Sequence, residues 1–331
     1  MFYPRDAWGF GALDPNSGTA QMMEVARVMG ARLRTGWRPR RTIMFLSWGA
    51  EEYSLCGSRE FVEQYEMEVS ERWVTEVRPY LSRYIISISR GVAYINTDVC
   101  MSGPILEPVA SPTLMDILVP ATKDIFSPED ETQNYYDWWK TWSEDGDNFD
   151  PEVSPFVGSG SDHASFIFYA GIPVLDIMFL EDKKRYPNIG GYPAYHTGFE
   201  TFDLVDKVYD TNFTIFGACA QLNLRVGLEL AEAELLPFKM EHYAKVMEDG
   251  VKVLNDSGII QKLSDLQIET SYFIEAIQEF RSAAEDFDYL TSGSSSLSEL
   301  QIRVLNDQMR GFEKTFLLYE GKSHGKLVSK W

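Results

Sequence analysis

Apolar residues recur at helical spacing in three stretches of the first half of the chain, and short β-branched runs lie between them. In residues 17–34, "SGTAQMMEVARVMGARLR", Met22, Val25, Ala26 and Met29 fall on one face behind a Ser17 cap candidate, which predicts an amphipathic helix. Residues 55–69 and 111–126 carry similar helical patterns. The runs "RTIMFLSW" (41–48), "VAYINTD" (92–98) and "GIPVLDIMF" (171–179) read as strands. Helix alternating with strand predicts an α/β fold with a mainly parallel sheet flanked by helices. Residues 128–156 mix acids, aromatics and prolines and are expected to form a long surface excursion. From about Leu236 the texture becomes long amphipathic stretches broken by "TSGSSS", so a helical unit over 236–331 is expected to follow a first domain over 1–235.

The 331 residues are 44% hydrophobic, ample for a packed core. With 50 acidic against 30 basic residues the net charge is -20, which repels phosphate backbones and anionic surfaces and argues against nucleic-acid partners. Cys56, Cys100 and Cys219 are too few and too scattered for a disulfide framework or a thiolate metal cage and read as buried thiols. Sequons at Asn212 and Asn255 would accept glycans in a secretory protein. The sequence as written shows neither an export signal nor eighteen uninterrupted apolar residues, so no membrane-spanning segment is expected.

The candidate chemistry sits at strand ends. In an open α/β sheet reactive groups gather at the carboxyl edge of the strands. Glu51 and Glu52 follow the 41–48 run, Asp98 follows the 92–97 run, Asp14 precedes a helix, and Tyr195-His196 follows the third run. Carboxylates plus an imidazole form a donor set suited to zinc. Adjacent side chains at a strand-to-loop turn diverge, so one glutamate can ligate while the other takes a proton from an activated water.

The strings "RDAWGFGALDPNSGTA", "GWRPRRTIMFLSWGAEEYSLCGSREF", "GVAYINTD", "GSGSDHASF" and "YPAYHTGFETFD" resemble the M28 zinc peptidases of the glutamate carboxypeptidase II group, relatives of the transferrin receptor. The resemblance implies a zinc-dependent exopeptidase of the carboxypeptidase or dipeptidase kind, with a zinc exopeptidase-like domain followed by a helical dimerisation segment. It implies two zinc ions, with Asp14 bridging, Glu52 and His196 on one ion and Asp98 on the other. Glu51 matches the general base and Tyr195 the hydroxyl that stabilises the oxyanion, while Glu60 and Glu63 match two ligands of a structural calcium. A peptide substrate, a homodimer and a location on the extracellular side of the membrane or in the secretory pathway also follow from the resemblance.

Several positions depart from the family pattern. Pro4 stands where the family has a histidine ligand and offers no donor atom, so the Asp14/Asp98 ion is expected to bind more weakly. Asp176 and Met178 stand where two arginines grip acidic side chains, and an Asp there would repel a glutamate carboxylate, so no strong preference for acidic residues is expected at that subsite; Ser161 stands where the glutamate-specific members have an asparagine, closer to the broader aminopeptidase-like relatives. Residues 73–90 have no counterpart in the pattern, and the chain is expected to be partial at both ends, diverging over 321–331. A non-catalytic, transferrin-receptor-like binding protein or an inactive isoform is the alternative these departures imply.

Overall fold

The computed structural model describes residues 9–67, 90–142, 153–293 and 297–317. Pro4 and the unmatched 73–89 stretch lie outside them, as do residues 321–331. Helix α1 spans Asn16–Arg34 and α2 spans Cys56–Met67. Strand β1 (Tyr94–Asn96) is followed by β2 (Ile105–Leu106) and β3 (Val109–Ala110). Helices α3 (Met115–Thr122), α4 (Tyr135–Trp142) and α5 (His163–Phe168) lead to β4 (Val174–Asp176) and β5 (Phe179–Leu180). Helix α6 (Thr214–Glu232) precedes the helical region: α7 (Glu241–Asp256), α8 (Ile259–Asp265), α9 (Ser271–Ser292) and α10 (Glu299–Phe312).

The fold is mixed α/β, and among the described residues one of the three strand pairings is of the expected parallel kind. β1 pairs parallel to β4, whereas β3 pairs antiparallel to β4 and β2 antiparallel to β5. The chain reverses after β1, and Gly103 makes that return possible: a Cβ there would stand 2.4 Å from the Leu180 carbonyl oxygen. β4 is buried at all three positions, as a central strand covered on both faces should be.

The expected strand at 41–48 has no ladder partner among the described residues. It is tied by side chains at its two ends. The Arg41 guanidinium donates to the carbonyls of Leu230 and Ala233 at the end of α6, where unsatisfied carbonyls collect, and Trp48 Nε1 donates to Tyr94 Oη at 3.0 Å. Between these anchors the segment lines a cavity of about 1080 Å³ shared with α1, β1 and α6. An apolar β-branched run records that a side chain wants cover; whether a neighbouring strand supplies it depends on residues far away in sequence.

Two other expectations change. Within 128–156, Tyr135–Trp142 is a helix that drives Tyr135 and Trp139 into the core, with Tyr135 Oη donating to the Pro104 carbonyl and accepting from the Leu106 amide; residues 143–152 lie outside the described set. Ser17 does not cap α1. Its hydroxyl donates to the Leu13 carbonyl and accepts from the Cys100 amide, pinning the helix start to the chain after β1. Cys100 and Cys219 are buried and joined as a disulfide, while Cys56 is exposed, so none of the three is a buried free thiol.

Leu13, Leu114, Leu175, Phe179 and Leu222 belong to one large buried cluster. Phe238, Ala284 and Met309, from the helical region, pack in it too. The Asp288 carboxylate on α9 accepts from the amides of Met240 and Glu241 at the start of α7, satisfying donors that a helix N-terminus leaves open.

Candidate metal centre

Asp14, Glu52 and His196 converge from three segments distant in sequence. Their ligating atoms lie within 4.8 Å of one another, and this is the group of three or more His, Cys, Asp or Glu donors found among the described residues. His196 Nε2 stands 3.1 Å from Asp14 Oδ2 and 2.6 Å from Glu52 Oε1.

Local structure places each donor. Asp14 ends the turn before α1, and its backbone amide and that of Leu13 both donate to the Glu200 carboxylate, which is almost fully buried and also accepts from Tyr192 Oη. Glu52 lies in the turn between the 41–48 segment and α2, where Ala50, Ser54 and Leu55 all adopt positive φ. His196 is itself left-handed at φ 56°, a conformation that costs a non-glycine residue energy and persists only where surroundings enforce it. Tyr195 stacks on its ring at 3.7 Å between centroids.

Glu51, Asp98 and Tyr195 stand around this trio. Burial, helped by the charges of Asp98, Glu52, Glu200 and Glu51, pushes the Asp14 carboxyl up to about 8. Burial and the same field, from Asp14, Glu52, Asp98 and Glu51, push the Tyr195 phenol up to about 12. Every charged contributor to both shifts is a carboxylate. Such a concentration of negative charge around a buried acid is unfavourable unless a cation or protons neutralise it. The donor set therefore fits a divalent cation held by oxygen and imidazole nitrogen.

Asp98 lies beside the trio rather than in it, with Oδ2 accepting from Ser161 Oγ at 2.7 Å. Its proximity to Asp14 depends on Gly18, whose amide donates to the Asp98 carbonyl at 3.1 Å; a Cβ there would stand 2.2 Å from that oxygen. Glycine is what lets α1 cross the end of β1 this closely.

Other expected site residues are placed differently. Asp176 is buried in β4, bonded to Asn96 and facing His163, so its charge does not meet an incoming side chain. The reason is the strand itself, which is covered on both faces. Met178 is half-buried, with its carbonyl accepting from the Glu107 amide. Glu60 and Glu63 lie on α2, Glu60 exposed and Glu63 paired with Arg59 Nε at 3.1 Å; no third His, Cys, Asp or Glu donor joins them among the described residues. Glu200 was not anticipated. Its one signal is its place four residues after His196, in the same string.

The sequence model of peptidase family M28 matches residues 3–216, a span that contains Asp14, Glu51, Glu52, Asp98, Tyr195, His196 and Glu200. The chain belongs to peptidase family M28. It is 34% identical to aminopeptidase NAALADL1 of Rattus norvegicus over 95% of its length, covering 40% of that protein. It is 34% identical to the probable glutamate carboxypeptidase LAMP1 of Arabidopsis thaliana over 96% of its length, covering 41% of that protein. The glutamate carboxypeptidase 2 homolog of Caenorhabditis elegans is 31% identical, with the same coverage of each chain. This M28 chain thus spans about 40% of the length of the relatives it matches. No helix among its described residues is long and apolar enough to cross a membrane.

Proposed function

We propose that this chain carries the chemistry of a zinc-dependent exopeptidase, and the convergence of Asp14, Glu52 and His196 within a field of further carboxylates is the observation that carries the reading. Asp14, Glu52 and His196 would hold zinc, and Asp98 would serve a neighbouring ion to which Pro4 offers no donor atom. Zinc bound there supplies Lewis acidity, making water acidic near neutral pH and polarising a peptide carbonyl. Glu51, half-buried beside Glu52, takes the proton of the attacking water and passes it to the leaving nitrogen. Tyr195 is a phenol, protonated in the neutral range at its ordinary value and pushed further up by burial, so it can donate a hydrogen bond to the carbonyl oxygen as charge develops there.

The relatives' names include both an aminopeptidase and glutamate carboxypeptidases, and Asp176 and Met178, neither of them cationic, support a peptide without an acidic side chain at that subsite. Exposed apolar side chains on α9 and α10, among them Tyr272, Tyr289 and Leu300, support a second copy of the chain as a partner for the helical region. Asn212 and Asn255 are both exposed, which supports glycosylation in a secretory compartment.

The test is metal content together with hydrolysis. Purified protein should retain zinc, Asp14→Ala should lose it, and Glu51→Gln should keep the metal while losing hydrolysis of unblocked dipeptides. Folded wild-type protein that takes up no zinc from a zinc-buffered solution would sink the reading.

A further inference from the structure

A file of buried polar groups runs from Asp98 into the protein, away from the cation candidate. Ser161 Oγ lies 2.7 Å from Asp98 Oδ2, Asn96 Nδ2 lies 3.1 Å from Ser161 Oγ and 3.2 Å from Asp176 Oδ1, and Asp176 Oδ2 faces His163 Nδ1 at 3.9 Å. His163 Nε2 ends the file 3.1 Å from the Val157 carbonyl. Asn96, Ser161, His163 and Asp176 are each at most 7% exposed. Nothing in the proposed chemistry uses the inner three.

The hydrogen inventory fixes the links from Asp98 to Asp176, whereas the 3.9 Å approach of Asp176 to His163 is too long for a hydrogen bond. A carboxylate only accepts, so the single Ser161 hydroxyl hydrogen goes to Asp98 and the Ser161 oxygen is left to accept. Asn96 must then present its amide nitrogen, since both neighbours are acceptors, and its two hydrogens are spent on Ser161 and Asp176. At the far end the Val157 carbonyl only accepts, so His163 Nε2 carries a hydrogen. The orientation of the Asn96 amide is thus set from below by Asp176, and the Ser161 hydroxyl is set by Asn96.

We propose that Asp176 is a positioning residue for Asp98, acting through the Asn96 amide and the Ser161 hydroxyl. This rests on the reading of Asp98 as a metal-holding group. With Asp176 in place, Asn96 cannot turn its carbonyl toward Ser161, so the Ser161 hydrogen stays on Asp98 and holds that carboxylate in one rotation. Groups that orient a ligand in this way typically alter metal affinity by about 10–100-fold when removed.

Asp176→Asn provides the discriminating variant. Its amide oxygen can accept from Asn96 as before, so the inward path from Asn96 to Asp98 is kept. Asp176→Ala removes the acceptor and frees Asn96 to turn.

The experiment measures zinc affinity of the whole chain by competition with a chromogenic chelator, and the absorption spectrum of the cobalt(II) form, for wild type, Asp98→Ala, Ser161→Ala, Asp176→Ala and Asp176→Asn. The expected result is weaker zinc binding in Asp98→Ala, a loss of about tenfold or more in Asp176→Ala with an altered cobalt spectrum, and return to wild-type affinity in Asp176→Asn. If Asp176→Ala does not fold, Ser161→Ala, which loses a single hydroxyl, carries the same expectation. Weakened binding in Asp98→Ala with wild-type affinity in Asp176→Ala or Ser161→Ala overturns the positioning role and leaves the metal reading standing. So does an Asp176→Asn protein as weak as Asp176→Ala. Wild-type affinity in Asp98→Ala removes the metal reading of that residue itself.

Discussion

The Glu200 carboxylate holds the backbone amide of Asp14 from within the core, 186 residues away along the chain. The bond ties the first donor segment to the loop that carries His196, so the trio's geometry depends on an acid that does not ligate. Glu200→Ala leaves the amides of Leu13 and Asp14 and the Tyr192 hydroxyl without their acceptor. Buried donors left this way cost about 1–3 kcal/mol each, so a loss on the order of 3 kcal/mol in urea unfolding is expected, together with weaker zinc binding. Glu200→Gln keeps one acceptor oxygen and should recover a good part of both.

Glu51 and Tyr195 separate chemistry from metal holding. Glu51→Gln should retain zinc and lower kcat by about 10²–10⁴, the usual range for a lost general base. Tyr195→Phe removes one hydrogen bond to developing charge and should lower kcat by about 10²–10³ with metal content unchanged. Zinc content by atomic absorption alongside steady-state kinetics checks both. Loss of zinc in either variant would reassign that residue to the ligand set.

The sequence announces some of this arrangement and conceals the rest for identifiable reasons. Helix α1 is readable because Met22, Val25 and Met29 repeat on one face, and the acids of the site because they stand where apolar runs end. The spacing of Tyr135, Trp138, Trp139 and Trp142, at i, i+3, i+4 and i+7, marks α4 as well, but the acidic surroundings mask it. The 41–48 run shows the limit of pattern: its composition is that of a strand, yet pairing is a property of two segments, and none of the described residues pairs with it. Glu200 and the Asn96–Asp176–His163 file lie deeper still. A single polar residue inside a strand carries no period, and its partners become visible only when β1 and β4 are laid side by side.

Cys100 and Cys219 join the segment after β1 to the first third of α6. They are separated by 119 residues, and closing a loop of that size restricts the unfolded chain by roughly 4–5 kcal/mol in the chain-entropy account. Non-reduced peptide mapping should recover the Cys100–Cys219 pair with Cys56 alkylated. Reduction should lower the urea midpoint, and the Cys100→Ala/Cys219→Ala double variant should show that lower midpoint with or without reductant.

Glu313 gives the stability of this protein a pH dependence separate from the metal centre. Burial raises its carboxyl to about 7, against hydrogen bonds from Tyr243 and Thr113 that favour the charged form. In the unfolded chain it ionises near its ordinary value of 4.5. Below that value the residue is protonated in both states, and its protonated form is the one the core tolerates. As pH rises from 4.5 towards 7 the unfolded chain releases a proton that the folded chain keeps, so stability falls over this window and levels off above it. The full difference is on the order of 3 kcal/mol. Glu313→Gln does not titrate, so its urea midpoint should change less than that of wild type between pH 4.5 and 8. Asp14, raised to about 8, acts in the same direction in metal-free protein but is common to both chains and cancels in the comparison. Equal slopes in the two proteins would show that Glu313 is charged in the folded state throughout.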